Sequence, residues 1–308
     1  TVRESLPHNG SGNLPGLKDD NGNWDLRPHR DRIQTVDLRA LEVWHSILED
    51  GSVPPIESRM VYTVNTDAAD VLEKLAAAPR IRDLGLQFSG GWNETTDKKA
   101  GYFDTGWAHP ESWDDVILQG PHLGVSTPMI KQPNPTLKHN QDWSEVDLEA
   151  IPADFIPATA YQPDRGNQPN YDSDYPTLQF GEEMKSAKSH FRVAWREMAA
   201  TTGYRTLYPA LIPPGAAHVH AVNSCAAKTN ERTASAGTVM SSVLADYVVR
   251  SAGSAHIPNA IIRTIPLPAE SPLIKQARNL YLRLNCLTEA YAPLWEELMG
   301  EPWGVDKP

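Results

Sequence analysis

The stretch at residues 190–214, HFRVAWREMAATTGYRTLYPALIPP, decides how the chain reads. Phe191, Val193 and Trp195 alternate with Arg192, Ala194 and Arg196. That is the two-residue period of a strand, with an apolar core face and both arginines on the opposite face. Residues 206–212, TLYPALI, predict the partner strand, and residues 217–222 a third. Further on, residues 238–250 carry the apolar period of a core helix. Residues 274–298 are Leu-rich and helical, with Pro293 as a break.

Upstream, residues 1–34 are rich in Gly, Asn, Pro and Asp and read as an extended lead-in or wrapped arm. VDLRALEVWHSILED places Leu38, Leu41, Trp44, Ile47 and Leu48 at helical spacing, closed by Gly51. Residues 59–65, RMVYTVN, alternate as a strand does. Thr66 or Asp67 is placed to cap the next helix, which ends before Pro79, so a β-α unit is expected. Short strands are expected at 84–88 and 116–118, and 119–143 is turn-rich. The fold class is α+β (mixed α/β): small sheets with packed helices, Pro-rich loops and a C-terminal helical segment. The expected divisions are an arm at 1–34, an α/β, loop-rich spacer at 35–180 and a recognition subdomain with C-terminal helices at 181–308.

Net charge over 308 residues is −11, an acidic balance that argues against a generic nucleic-acid binder. Its distribution changes the reading. Between residues 184 and 265 nine Lys and Arg face three acids, a local +6, which leaves −17 for the rest. A basic segment of this kind can form one DNA-facing surface. Two cysteines, Cys225 and Cys286, exclude a disulfide framework and a cysteine zinc site, and the default is a reduced cytoplasmic protein. No apolar run spans a bilayer, so no membrane partner is expected. The opening TVRESLPHNG lacks Met and a signal pattern and reads as a cut inside a longer protein.

Together with KTNERTASAGTVMSSVLADYVVRSAGSAHIPNAIIRTIPLP (228–268), the opening phrase resembles the C-terminal target-recognition region of large adenine-N6 DNA methyltransferases. These belong to single-chain restriction–modification systems and to BREX- and DISARM-type phage defence. LGLQFSGGWNETTDKKAGYFD (84–104) and VILQGPHLGVSTPMIKQP (116–133) extend the resemblance over most of the chain. One departure is that Asn230-Glu231-Arg232-Thr233 falls late, and Thr202-Gly203-Tyr204-Arg205-Thr206 stands where many relatives carry that cluster.

The resemblance implies double-stranded DNA as partner, held beside the catalytic domain of a parent chain. It offers Arg192, Arg196, Arg205, Lys228, Asn230 and Arg232 as contacts, with Lys185 and Lys188 on phosphates. The catalytic signatures are not in this chain. The closest string to the paired-proline loop that grips a flipped adenine is Pro133-Asn134-Pro135-Thr136, and Ser89-Gly90-Gly91 runs into WNETTD without a helix start. S-adenosylmethionine is therefore expected in the missing catalytic part, and this chain holds no cofactor and is not catalytic alone.

Three other patterns compete. Asp164, Glu183 and Lys185 fit the PD…ExK spacing of Mg²⁺ nucleases, although QPDRGNQPN reads as a loop. A protein-interaction platform in a defence complex suits the acidic balance. His218 and His220 share a strand face but lack a third ligand, so no metal site is assigned. Of Trp92, Tyr102, Trp107, Trp113, Trp143, Tyr161, Tyr171 and Tyr175, one or two are expected to touch a ligand and the rest to pack.

Overall fold

The computed structural model describes residues 2–49, 51–61, 63–198 and 203–304. At its centre is a four-stranded antiparallel sheet in the order Gln87–Ser89, Val222–Ala226, Arg192–Arg196, Pro209–Ile212. The mixed α+β class follows from this sheet, four two-stranded pairs and the helices packed around them. The sheet's sequence signal is the FRVAW alternation: Val193 and Trp195 face one way with Leu211 and Cys225, against the helices Asn230–Met240, Val243–Ser251, Pro272–Asn285 and Ala292–Met299. Trp195 satisfies its indole N–H on the Ile257 carbonyl at 2.9 Å.

The opposite face differs from the sequence expectation. Ala194, Ala210, Ile212 and Val222 are also buried, against Val116, Leu118 and Leu123. The residue period gave the faces of the strand correctly, but a layer of loops and short hairpins covers the second one. Arg192 shares that face and is 0% exposed.

Pro209–Ile212 is the sheet's edge, and its free backbone groups are covered. Asn285 accepts from Leu211 N–H at 2.7 Å, Tyr291 donates to the Leu211 carbonyl at 2.9 Å, and Ser126 N–H donates to Pro209 O at 2.7 Å. An edge treated this way offers no ladder to another chain.

Several expected elements move. The third strand is Val222–Ala226, while Ala217–His218 pairs in parallel with Ile117–Leu118 in a separate sheet. The helix read at 238–250 is two helices, Asn230–Met240 and Val243–Ser251. Ser242 accepts from Ala245 N–H and starts the second, because a serine side chain competes for local backbone. No strand forms at 59–65 among the described residues. Gln34 donates to the carbonyls of Thr63 and Asn65, which occupies the acceptors a sheet partner needs. Tyr62 of that segment and Thr202 of the Thr202–Thr206 run lie outside the described residues, as do 305–308.

The helices Leu38–Leu48 and Thr66–Ala76 pack through Trp44, Ile47 and Leu72, and Val248 joins them to the rest. Buried Arg80 donates to the carbonyls of Leu75, Ala76, Ala78 and Ser46, a positive charge at the negative end of Thr66–Ala76. The lead-in wraps over this unit: Asn65 donates to Pro15 O, and Arg32 to Gly16 O at 3.1 Å. Strands from either side of the expected division at 180/181 share sheets, since Gln87–Ser89 pairs with Val222–Ala226.

At Gly237 the helix Asn230–Met240 packs closely against Pro272–Asn285. An added Cβ would overlap the buried Tyr281 ring and hydroxyl. In an open helix Gly→Ala gains about 1 kcal/mol. Overpacking a core costs about 1–3 kcal/mol. Gly237→Ala is therefore expected to lower stability in equilibrium denaturation, and a rise would contradict the packing.

Candidate nucleic-acid interface

The eight sequence-predicted contacts divide sharply. Arg192 is inside the protein: its guanidinium donates to Ala216 O and lies 3.5 Å from both Tyr175 Oη and Ser224 Oγ, with no carboxylate among these partners. Burial lowers its proton affinity. Lys188 is 5% exposed, 2.5 Å from Asp172 and 3.2 Å from Asp114 O, above the Tyr171 ring. Arg205 donates to the carbonyls of Ser241 and Ser242, closing the end of Asn230–Met240, and lies 3.4 Å from Asp246. Asn230 donates to Glu297 at 2.6 Å. Arg192, Lys188 and Arg205 are committed to the fold as placed, which corrects the expectation for these three, while Asn230 is part-exposed and engaged by Glu297.

Lys185, Lys228 and Arg232 are exposed. Lys185 sits on the hairpin strand Glu183–Ser186 and pairs with Glu183 at 2.5 Å. The ion pair with Lys185 holds the Glu183 carboxyl below its ordinary value. Arg232 follows in the first turn of Asn230–Met240.

Arg196 is half-buried. It donates to Leu123 O, lies 4.5 Å from the Tyr208 ring, and lines a cleft of about 650 Å³. Glu94, Gln119, Trp143 and Tyr161 line the same cleft. Tyr161 donates to Glu94 at 2.7 Å, and burial followed by that carboxylate raises its hydroxyl pKa. Trp143 is held edge-on against His122, with ring centroids 4.7 Å apart.

His122 accepts from Gln119 N–H at Nδ1 (2.9 Å), so its Nε2–H must donate to Ala158 O at 3.0 Å. Burial keeps this ring neutral, its pKa pushed down to about 4. Trp143 and Tyr161 are the aromatic pair that reaches the cleft. Trp92, Tyr171 and Tyr175 are core, and Tyr102 stacks on Trp92 at 4.5 Å.

A feature that sequence reading passed over as turns stands on the cleft's rim. Lys131–Pro133 and Trp143–Glu145 form a two-stranded ribbon, and the loop between them carries Lys138, His139, Asn140 and Gln141, all exposed. Asp142 braces the loop: its carboxylate accepts from Asn134 Nδ2 (2.9 Å), Thr136 Oγ1 (2.5 Å) and Lys138 N (2.9 Å). These bonds pull its pKa down to about 2. Leu137 sits at φ 40°, a conformation uncommon for a non-glycine residue. Trp107 anchors the foot of the tip loop by donating to Pro133 O at 2.9 Å. The Pro133–Thr136 string weighed as a catalytic loop is the start of this tip. The available signal was the polar run KHNQ ahead of Asp142 and Trp143.

The rival sites lack their geometry. Asp164 accepts from Asn167 N at 3.0 Å, and Glu183 is paired with Lys185. Among the described residues no group of three or more His, Cys, Asp or Glu can hold a metal ion. His218 is fully buried with Nε2 2.8 Å from Ser224 Oγ, and burial, then Arg192, lowers its pKa to about 3. His220 instead points to Glu197 at 3.1 Å. Both cysteines are free and buried, their thiols pushed up to about 12 by burial. Among the described residues no helix is long and apolar enough to cross a membrane. No protein-family model and no curated protein matches the sequence.

His122 and His218 make the fold sensitive to acid below about pH 6.5. Each has a folded pKa below the free value of about 6.5, so their stabilisation is full above that pH. It declines as pH falls from about 6.5 towards about 4, where only the unfolded chain takes up the protons. The loss is at most about 1.4 kcal/mol per pH unit for each ring. Denaturation midpoints across that window should fall with acidification, and less steeply in His122→Gln. A flat wild-type profile would contradict the assignment.

Proposed function

We propose that this chain is the target-recognition part of an adenine-N6 DNA methyltransferase, holding duplex DNA against the face that carries the cleft and ribbon. The observation that carries the reading is the braced ribbon tip with four consecutive exposed polar side chains. A two-stranded ribbon fits the major groove, where Lys reads guanine and Asn or Gln reads adenine. Lys138, Asn140 and Gln141 supply those groups, with His139 between them. Lys185, Lys228 and Arg232 are the cations left to hold phosphates. The sequence resemblance supports the same class and puts methyl transfer, with S-adenosylmethionine, in the catalytic part of a parent chain. Phage defence and a cytoplasmic setting belong to this reading, and two reduced thiols suit it.

A second reading, a protein-docking platform, is favoured by one observation. Leu273, Leu280 and Leu284 are all more than half exposed on Pro272–Asn285, at helical spacing on one side. Sedimentation of wild type beside Leu280→Glu reads whether this stripe mediates self-association.

Salt dependence tests the duplex reading quantitatively. Three phosphate cations predict a slope of log affinity against log salt of about −2.7, or roughly 40-fold weaker binding from 50 to 200 mM salt. The seven cations of the sequence reading predict a slope of about −6.3. Fluorescence anisotropy with a pool of random-sequence duplexes should give the shallower slope, reduced further in Lys228→Glu/Arg232→Glu. Absence of binding at about 50 mM salt would end the proposal.

A further inference from the structure

The cleft beside the ribbon has a chemistry that phosphate or groove contacts do not use. Its walls carry a carboxylate, Glu94, and a guanidinium, Arg196, and each is held by a neutral partner, the Tyr161 hydroxyl and the Leu123 carbonyl. Among the described residues the two form no ion pair with each other. Trp143 and Tyr161 supply aromatic surface, and both rings are fixed by edge-on contacts, to His122 and to Phe103 at 5.1 Å. Gln119 adds an amide whose oxygen is buried without a hydrogen-bond partner. At about 650 Å³ the space lies in the range of small-ligand pockets.

A planar ligand bound here must stack and must present donors to Glu94 and acceptors to Arg196. Among the nucleobases guanine alone does both with adjacent pairs. Its N1–H and N2–H lie side by side to face a carboxylate, and its O6 and N7 are acceptors suited to the guanidinium end of Arg196 left over after Nε and Nη2 donate to Leu123 O. Adenine places an acceptor, N1, beside its one amino donor. Thymine flanks its single donor with two carbonyls. Cytosine has a single amino group beside an acceptor nitrogen. Against any of these three, the carboxylate would face a lone pair.

We infer that the Glu94–Arg196 cleft is a pocket for one unstacked guanine base. For its source, a base displaced from the duplex, the inference rests on the duplex-binding reading. The base itself is recognised by the cleft alone. A free guanine nucleotide carries the same chemistry, so both sources are tested. Displacing a base from a stack is costly, and least so where the base is already unpaired.

The experiment has two arms, run on the described chain. In the first, isothermal titration with 2′-deoxyguanosine 5′-monophosphate is compared with the deoxyadenosine, deoxycytidine and thymidine monophosphates. The expected result is at least tenfold tighter binding of the guanine nucleotide, lost in Glu94→Gln and kept in Lys228→Glu. Equal binding of all four, or an unchanged preference in Glu94→Gln with a wild-type melting profile, overturns the pocket. In the second arm, duplexes with one unpaired guanine or one unpaired thymine are compared with the fully paired duplex by anisotropy. A gain of at least tenfold for unpaired guanine only is expected. Nucleotide preference without any duplex binding leaves the pocket standing and removes the duplex as its source. Duplex binding with no guanine preference in either arm removes the pocket and leaves the duplex reading intact.

Discussion

Burial of the strand Arg192–Arg196 on both faces is the constraint on which the rest of the structure depends. One face meets the helices through Val193 and Trp195, and the other meets the loop layer through Ala194. A guanidinium is buried in the second interface with neutral acceptors only. A buried charge without a counter-ion costs several kcal/mol unless its hydrogen bonds are good. Arg192 ties the sheet to Ala216 O and to Tyr175, so the loop layer is fastened to the sheet by a group that must stay bonded. Arg196, two pleat repeats further along, emerges from the same face at the cleft.

The arginine run was legible as a strand, and its solvation was not. Alternation tells which side chains share a face, and it says nothing about what covers that face. A solvated second face was the natural expectation for an antiparallel sheet. The segments that cover it, Val116–Leu123 and the short hairpins, are too short and too interrupted by Pro and Gly to announce their packing. Arg205 and Lys188 misled for a related reason: the charge count gives a local +6, and the structure engages much of it at a helix end and on acids of the fold, Asp246 and Asp172. The helices at Leu38–Leu48 and Thr66–Ala76 were legible from their apolar stripes; their caps are Asp37 and Asn65, so the second cap stands one residue before the expected Thr66 or Asp67, because Asn65 accepts from Ala68 N–H. The ribbon was missed because strands of three residues carry no period, and its brace depends on one side chain, Asp142, folding back over eight residues.

An acidic chain that binds DNA through few cations differs from one that binds through a basic surface. On the proposed reading, only three cations of the predicted contact set stay exposed to phosphates, so affinity from phosphates would be modest, and orientation and base contacts would carry a larger share. A braced tip suits that division, since a preordered loop loses little freedom on docking. On the proposed reading the cleft behind the tip would face the same duplex and add a second kind of recognition, of one base at a time.

Hydrogen–deuterium exchange of the chain with and without a random-sequence duplex pool addresses the central claim most directly. The account predicts slowed exchange at 134–142 and around Trp143, Tyr161 and Arg196, with little change on Pro272–Asn285. Protection confined to Pro272–Asn285 or to the arm at 2–34, with the ribbon unchanged, would contradict it.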